Sequence, residues 1–252
     1  MRVIRPAALA ERVTRLARLR LAIGMGAVGV AAAALLVLAT PGAPLPAALL
    51  GIAAALGLGL CAAWTVRALR PDPVRQLLLD VERLLEGAFD DSYTLVVGPR
   101  LPVRGPGVAG VLVGPAGIRV LVARDWEGRY RVRGRGWEFD THSRRGWIPC
   151  RTNPSFDAAT ATDRVAGWAR DLGVAPAAIA PAVIFPQRHS RIVLEEPADE
   201  IVTTENVPWW ANRIGRSQRI DASTAARVVT AILEASERPA PRGAPATGPR
   251  PG

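Results

Sequence analysis

The densest group of side chains with binding potential in this sequence is a cluster of arginines near its centre. Its members are Arg129, Arg131, Arg133, Arg135, Arg144 and Arg145, with Trp137 and Trp147 among them. The first four alternate along the chain, and alternate side chains of a strand share one face. A basic face with aromatic rings suits DNA or RNA backbones, or anionic lipid headgroups. A solvated strand face with inward tryptophans fits the pattern equally well, and the sequence leaves these readings open.

Cysteine and histidine offer little further chemistry. Cys61 lies in an apolar run and Cys150 in a polar part of the chain, so a disulfide framework is not expected. His142 and His189 have no partner at zinc-ligand spacing. The sequence has no Gly-x-Ser-x-Gly nucleophile motif and no phosphate-binding loop. We therefore expect no resident cofactor or metal.

Two short Val-rich runs bounded by Gly and Pro, residues 108–114 and 117–128, predict a buried β-hairpin. A magnesium site on such a pair requires carboxylate and carbonyl oxygens. The two runs offer few such groups, because Asp125 and Glu127, near the end of the second run, are their only acids.

The elements around this hairpin follow from periodicity and turn residues. Apolar residues at helical spacing predict helices over 74–87, 154–172 and 208–214, and Asp221 should cap another over 222–235. Strands are predicted over 93–97, 129–138, 179–185 and 200–203, and 144–149 should pair with 129–138. The Pro-, Gly-, Ala- and Arg-rich tail, 237–252, should be disordered.

Two charge-free apolar runs, residues 21–40 and 45–66, precede this domain. Each is long enough to span a bilayer as a helix, and the Pro-Gly-Ala-Pro link between them predicts an antiparallel transmembrane hairpin. The basic N-terminal segment 1–20 is rich in arginine, and further arginines follow the second run. The Pro-Gly-Ala-Pro link between the runs has no charge. The positive-inside bias therefore puts both termini in the cytoplasm, at the inner membrane of a bacterium. Residues 67–73 form the linker to the domain.

Net charge does not by itself indicate nucleic-acid binding. The full chain of 252 residues carries a formal +10. Residues 1–70 hold eight arginines and one acid, giving +7, whereas residues 71–236 hold 21 arginines and 20 acids, giving +1. Most of the excess thus lies beside the predicted membrane spans.

The domain at 74–236 resembles the nuclease-related domain family called NERD, which has a restriction-endonuclease-like α/β fold with a mixed central sheet. The resemblance rests on several short sequence motifs that occur in the same order as in the family. These are Val111-Leu-Val-Gly-Pro-Ala-Gly-Ile118, Asp125-Trp-Glu-Gly128, Trp137, Asn153-Pro154 and Pro181-Ala-Val-Ile-Phe185. The resemblance implies a metal-dependent nuclease site formed by an Asp before the first strand and a Glu-x-Lys on the second.

This chain departs from the family pattern at each of those positions. Ala109 replaces the Asp, Val122 the Glu and Arg124 the Lys, while Asp157 occupies the place of a family Gln. Asp80, Glu82, Asp125 and Glu127 are the remaining acids that could substitute as ligands. Too few oxygens remain together for Mg²⁺, so we expect a non-catalytic, membrane-tethered binding or scaffold module, with nucleic acid as one candidate partner. The alternatives are a Mg²⁺-dependent DNA nuclease with non-standard ligands and a lipid-apposed regulatory domain.

Overall fold

The computed structural model describes residues 1–6, 23, 26, 59, 72–101, 107–141, 146–217 and 219–238. The chain divides into two compact units, one made of Met1–Ala8 with Leu77–Gly252 and the other of Leu9–Gln76. In the second unit Ile23, Gly26 and Gly59 are helical. The rest of the predicted spans 21–40 and 45–66, most of the 67–73 linker and the tail from 239 lie outside the described residues. Within the described ranges, no helix has the length and apolarity required to cross a bilayer.

The larger unit is built on a mixed six-stranded sheet. Its strands are β1 (Arg2–Ile4), β2 (Thr94–Val97), β3 (Gly110–Gly114), β4 (Gly117–Ala123), β8 (Ile179–Phe185) and β10 (Glu200–Thr203), in the order β1-β2-β3-β4-β8-β10. β3 pairs antiparallel with β2 and β4, and the other pairs are parallel. The expected α/β architecture with a mixed central sheet is confirmed, as is the predicted hairpin, which turns at Pro115 and Ala116.

A second sheet contains the arginine-rich segment. Its strands are β5 (Gly128–Gly134), β6 (Gly136–Asp140), β7 (Trp147–Pro149) and β9 (Ser190–Pro197), in the order β7-β6-β5-β9. The single strand predicted over 129–138 is wrong, because the chain reverses at Arg135. Gly134 precedes this turn with φ +56, a left-handed conformation that glycine adopts without a steric penalty. Residues 147–149 pair with β6, the second half of the predicted strand.

The described helices are α1 (Pro73–Leu85), α2 (Pro154–Arg170), α3 (Val207–Gly215) and α4 (Ala222–Glu237), with a 3₁₀ turn at Pro176–Ala178. The four helical predictions are confirmed, with ends that differ by at most two residues. Two polar caps explain where the long helices begin. Asn153 accepts a hydrogen bond from the Phe156 amide, and Asp221 accepts one from the Thr224 amide.

The core lies on both faces of β4, in which every residue is buried. Ile118, Val120 and Val122 belong to one apolar cluster that includes buried residues of α2 and α4. Alternate side chains of a strand point to opposite faces, so Arg119 and Leu121 face the other way. β4 therefore has no solvated face, which accounts for its nearly continuous apolar sequence.

The first strand, β1, was not predicted from the sequence. Its three residues pair in parallel with β2, beginning with Arg2 opposite Thr94, and the Arg2 amide donates to the Tyr93 carbonyl at 2.9 Å. Residues before and after the segment 7–71 thus belong to the same sheet.

Candidate functional site

Ala109 and Val122, where the resemblance predicts that metal ligands are missing, are apolar and buried. Ala109, just before β3, is 8% exposed, and its amide donates to the Leu121 carbonyl at 2.8 Å. Val122, within β4, is fully buried in the apolar cluster. Neither side chain can bind a cation, and Val122 contributes to packing.

Arg124 and Asp157 form an ion pair at the end of β4. The Arg124 amide donates to the Ile184 carbonyl at 2.9 Å, which fixes the start of its side chain beside β8. Its guanidinium contacts the carboxylate of Asp157, in the first turn of α2, and also donates to the Ala123 carbonyl at 3.2 Å. The carboxylate of Asp157 therefore has a cationic partner in Arg124.

The other candidate acids are bound to separate partners. Asp80 accepts from Arg83 at 3.2 Å and from Gln187 at 3.0 Å. Glu82 accepts two hydrogen bonds from the Arg5 guanidinium, at 2.6 and 3.0 Å. Asp125 lies 2.9 Å from a ring nitrogen of His189. In the described part of the chain, no three His, Cys, Asp or Glu side chains are grouped as metal ligands would be.

The arginines of β5 lie on its outward face. Arg129 and Arg133 are exposed and Arg131 is half-buried, whereas Val132 between them is buried in the core. Arg135 lies in the turn after β5 and not in the strand. Arg144 and Arg145 lie outside the described residues. We name Arg129, Arg131, Arg133 and Arg135 the arginine face.

Each member of the arginine face forms an ion pair with a neighbouring acid. The pairs are Arg129–Asp140 at 3.6 Å, Arg131–Glu138 at 2.7 Å, Arg133–Glu195 at 2.8 Å and Arg135–Asp199 at 3.7 Å. Four cations therefore meet four carboxylates, and this surface is close to neutral. This balance of charge could not be predicted from the sequence, because Glu195 lies in β9 and Asp199 in the turn after it. β9 was not among the predicted strands.

The two tryptophans near these arginines have different environments. Trp137 is 4% exposed, and its indole N–H donates to the Ser155 hydroxyl at 3.0 Å, as inward packing predicts. Trp147 is half-buried, with the guanidinium carbons of Arg129 and Arg131 5.4 and 4.8 Å from its ring centroid. Cation–π contacts thus occupy one face of this ring.

A buried charged network lies on the opposite side of β4. Arg119 is 3% exposed, and its Nε lies 3.0 Å from Glu200 Oε2 in β10. Glu200 also accepts from the Trp210 indole at 2.8 Å and lies 3.7 Å from Arg213. Sequence analysis did not single out Arg119, although a lone arginine inside an apolar strand is the signal that identifies it.

Helix α3 places two adjacent tryptophans in different environments. Trp210 is 1% exposed and contacts Phe89 edge-on at 5.6 Å, whereas Trp209 is 63% exposed. Consecutive helix residues lie about 100° apart around the axis, so a buried Trp210 directs Trp209 outward.

Cys150 is a free, half-buried thiol. Burial, followed by the negative charge of Glu138, raises the pKa of Cys150 above its ordinary value. This environment favours the protonated thiol, which is a poor nucleophile.

Comparison with family models, curated proteins and solved structures gives no significant match for this chain.

Proposed function

We propose that this chain is a membrane-tethered, nuclease-related domain with a restriction-endonuclease-like fold, and that it acts as a non-catalytic binding or scaffold module. The observation that carries the proposal is the Arg124–Asp157 ion pair beside the buried Ala109 and Val122.

The charges and oxygen ligands around the Arg124–Asp157 pair do not suit a metal ion. Mg²⁺ in a nuclease requires several oxygen ligands, and the Asp157 carboxylate already has a cationic partner in Arg124. The planar, delocalised guanidinium of Arg124 also does not replace the compact ammonium group of a lysine at such a site. These features support a structural role for the ion pair, which joins the end of β4 to the start of α2.

The pairing of β1 supports the tether. Residues 2–4 lie in the same sheet as residues 94–97, so the two ends of the intervening segment lie at the same body. A segment of this kind that passes through a bilayer has to cross it an even number of times. This agrees with a two-span hairpin over 21–40 and 45–66 with both termini on the cytoplasmic side of the inner membrane.

The arginine face gives weaker support for DNA or RNA as a partner. A nucleic-acid phosphate approaching it would have to displace carboxylates that already contact the guanidinium groups. Strong phosphate binding depends on cations that release counterions, and a balanced surface has few to release.

Nuclease activity is tested with the full chain reconstituted in lipid nanodiscs. The protein is incubated with single- and double-stranded DNA in the presence of Mg²⁺ or Mn²⁺, and metal binding is followed by calorimetry. We expect neither cleavage nor stoichiometric metal uptake. The matched control is the variant D80N/E82Q/D125N/E127Q/D157N, which removes every acid that could substitute as a ligand, so cleavage that persists in it comes from a contaminant. If the wild type cleaves DNA and this variant does not, the non-catalytic assignment is wrong.

The tether has its own test. Membranes containing the chain are washed with alkaline carbonate and floated on a density gradient. We expect the protein to float with the lipid, and its recovery in the soluble fraction would contradict the tether.

A further inference from the structure

The outward surface of α3 combines an exposed aromatic ring with two cations. We name Pro208, Trp209, Asn212, Arg213 and Arg216 the α3 surface, and they line a shallow depression of about 610 Å³. All five residues are exposed. An exposed aromatic residue next to a proline and two arginines is the composition of an interaction surface more than of a solvated helix face.

The two cations are held in different ways. The Arg213 guanidinium lies over the Trp209 ring, 4.9 Å from its centroid, and 3.7 Å from Glu200. Arg216 donates to the Asn212 side chain at 3.0 Å and forms no ion pair with any carboxylate of the described residues. The positive charge of Arg216 is therefore not compensated by a described carboxylate, in contrast to the arginine face.

The position of the ring is fixed from inside the domain. Trp210 is buried and hydrogen-bonded to Glu200, which in turn binds Arg119 of β4. Helix α3 cannot rotate to bury Trp209 without removing Trp210 from the core. The exposed ring is thus a consequence of how α3 is anchored.

We propose that the α3 surface binds the anionic headgroup region of the lipid bilayer. Tryptophan favours the boundary between hydrocarbon and water, and arginines beside it fit lipid phosphates. A single-stranded nucleic acid is a poorer fit, because stacking platforms use several rings along a groove and this surface has one. The proposal rests on the tether proposed above, which keeps the domain at a high effective concentration near lipid.

The environment of Trp209 provides the test. The full chain and its W209F variant are reconstituted in bilayers of phosphatidylcholine alone, or of equal parts phosphatidylcholine and phosphatidylglycerol. The difference between their emission spectra isolates Trp209 from the other six tryptophans. We expect this difference emission to shift to the blue and to be quenched by brominated lipid in the anionic bilayer only.

Charge variants separate specific binding from general attraction. The double variant R213Q/R216Q is prepared in two backgrounds, one with Trp209 and one with W209F, so that the difference emission of Trp209 can be measured. This difference emission should lose both the blue shift and the quenching by brominated lipid. The matched control is R164Q/R170Q, which removes two exposed arginines of α2 and should retain both effects. Melting temperatures of all variants are measured to confirm folding.

Several outcomes would overturn the proposal. In one such outcome the difference emission of Trp209 stays red-shifted, is quenched by aqueous iodide and has the same spectrum in both bilayers. Quenching by a single-stranded oligonucleotide in place of lipid would assign the surface to nucleic acid, and quenching that depends on protein concentration would assign it to a second copy. Flotation of W209F and R213Q/R216Q with lipid shows whether the tether itself has failed, so the two proposals fail separately.

Discussion

Arg119 and Glu200 form a buried ion pair that joins the central strand β4 to the edge strand β10, with 3.0 Å between Nε and Oε2 and side-chain exposures of 4% and 18%. The two residues are 81 positions apart in the sequence. Removing one member of a buried pair leaves the other charge uncompensated, and this costs far more than breaking a surface pair.

We therefore expect Arg119→Met to lower the free energy of unfolding by roughly 3–5 kcal/mol, measured by urea denaturation. The double variant R119M/E200L should recover part of this loss. Recovery stays incomplete because the Trp210 indole also donates to Glu200. Arg133→Met, which breaks an ion pair whose arginine is 72% exposed, should have a much smaller effect. Equal losses for R119M and R133M would contradict the buried-pair interpretation.

The hydrogen bond from Trp137 to Ser155 makes a second stability prediction. Ser155→Ala should lower the free energy of unfolding by about 1–3 kcal/mol, because it leaves the indole N–H buried without an acceptor. A double-mutant cycle with W137F measures the coupling. The bond is not the cause if the loss on Ser155→Ala is the same in the W137F background.

Asp221 predicts a pH effect on stability. Hydrogen bonds from the Ser223 hydroxyl, then from the amide and hydroxyl of Thr224, lower the pKa of Asp221 below its ordinary value. A carboxylate with a lowered folded-state pKa stabilises the fold above its unfolded pKa of about 4, and this contribution is lost as pH falls through the folded value. Asp221→Asn retains a capping side chain but cannot ionise.

The denaturation midpoints of wild type and D221N should therefore differ most near neutral pH and converge as the pH falls below about 4. Thermal melts over this range measure the convergence. A constant gap between the two proteins at all pH values would show that the charge of Asp221 contributes nothing.

Gly117 and Gly173 share a positive φ but differ in the space around them. A Cβ at Gly117 would lie 2.1 Å from the Ala178 carbonyl oxygen, whereas one at Gly173 would meet nothing within 4 Å. Gly173→Ala should cost about 1–2 kcal/mol from backbone conformation alone, and Gly117→Ala should cost clearly more. Comparing the two unfolding free energies isolates the steric clash. Similar losses would indicate that the backbone beside Ala178 relaxes.

The balanced arginine face predicts a gain of binding when its acids are removed. E138Q/E195Q should bind single-stranded DNA more tightly than wild type, with a steeper dependence on salt, because it frees the Arg131 and Arg133 guanidinium groups. Fluorescence anisotropy at low and physiological salt measures both changes. E234Q/E237Q removes two exposed acids from α4 and controls for net charge. Equal gains in the two variants would show that the local ion pairs do not matter.

Local sequence signals predicted much of this fold. Pro154 and Asp221 mark helix starts, because proline fits the first turn of a helix and the Asp221 side chain accepts a backbone N–H from that turn. The Val-rich runs around Pro115 identify the hairpin. Features that depend on distant partners were not predicted. β1 has three residues and no apolar alternation, and Arg133 meets Glu195 from 62 positions away.

The candidate site shows the same division. Residue types at 109, 122 and 124 are visible in the sequence and are the basis of the prediction that this place lacks metal ligands. The Arg124–Asp157 contact needed the placement of α2 against the end of β4. The exposure of Trp209 follows from the buried hydrogen bond between the Trp210 indole and Glu200, which comes from another element of the fold.

The parallel pairing of β1 also sets an order of events during synthesis. The first strand leaves the ribosome long before its partner, since 88 positions separate Met1 from Phe89, whose carbonyl accepts from the Met1 amine at 3.0 Å. Residues 7–71 are all translated in between, so the nascent β1 cannot pair with β2 until that whole segment has been made. Closure of the sheet edge is consequently a late folding step, and a bulky tag fused ahead of Met1 would interfere with that step before any other.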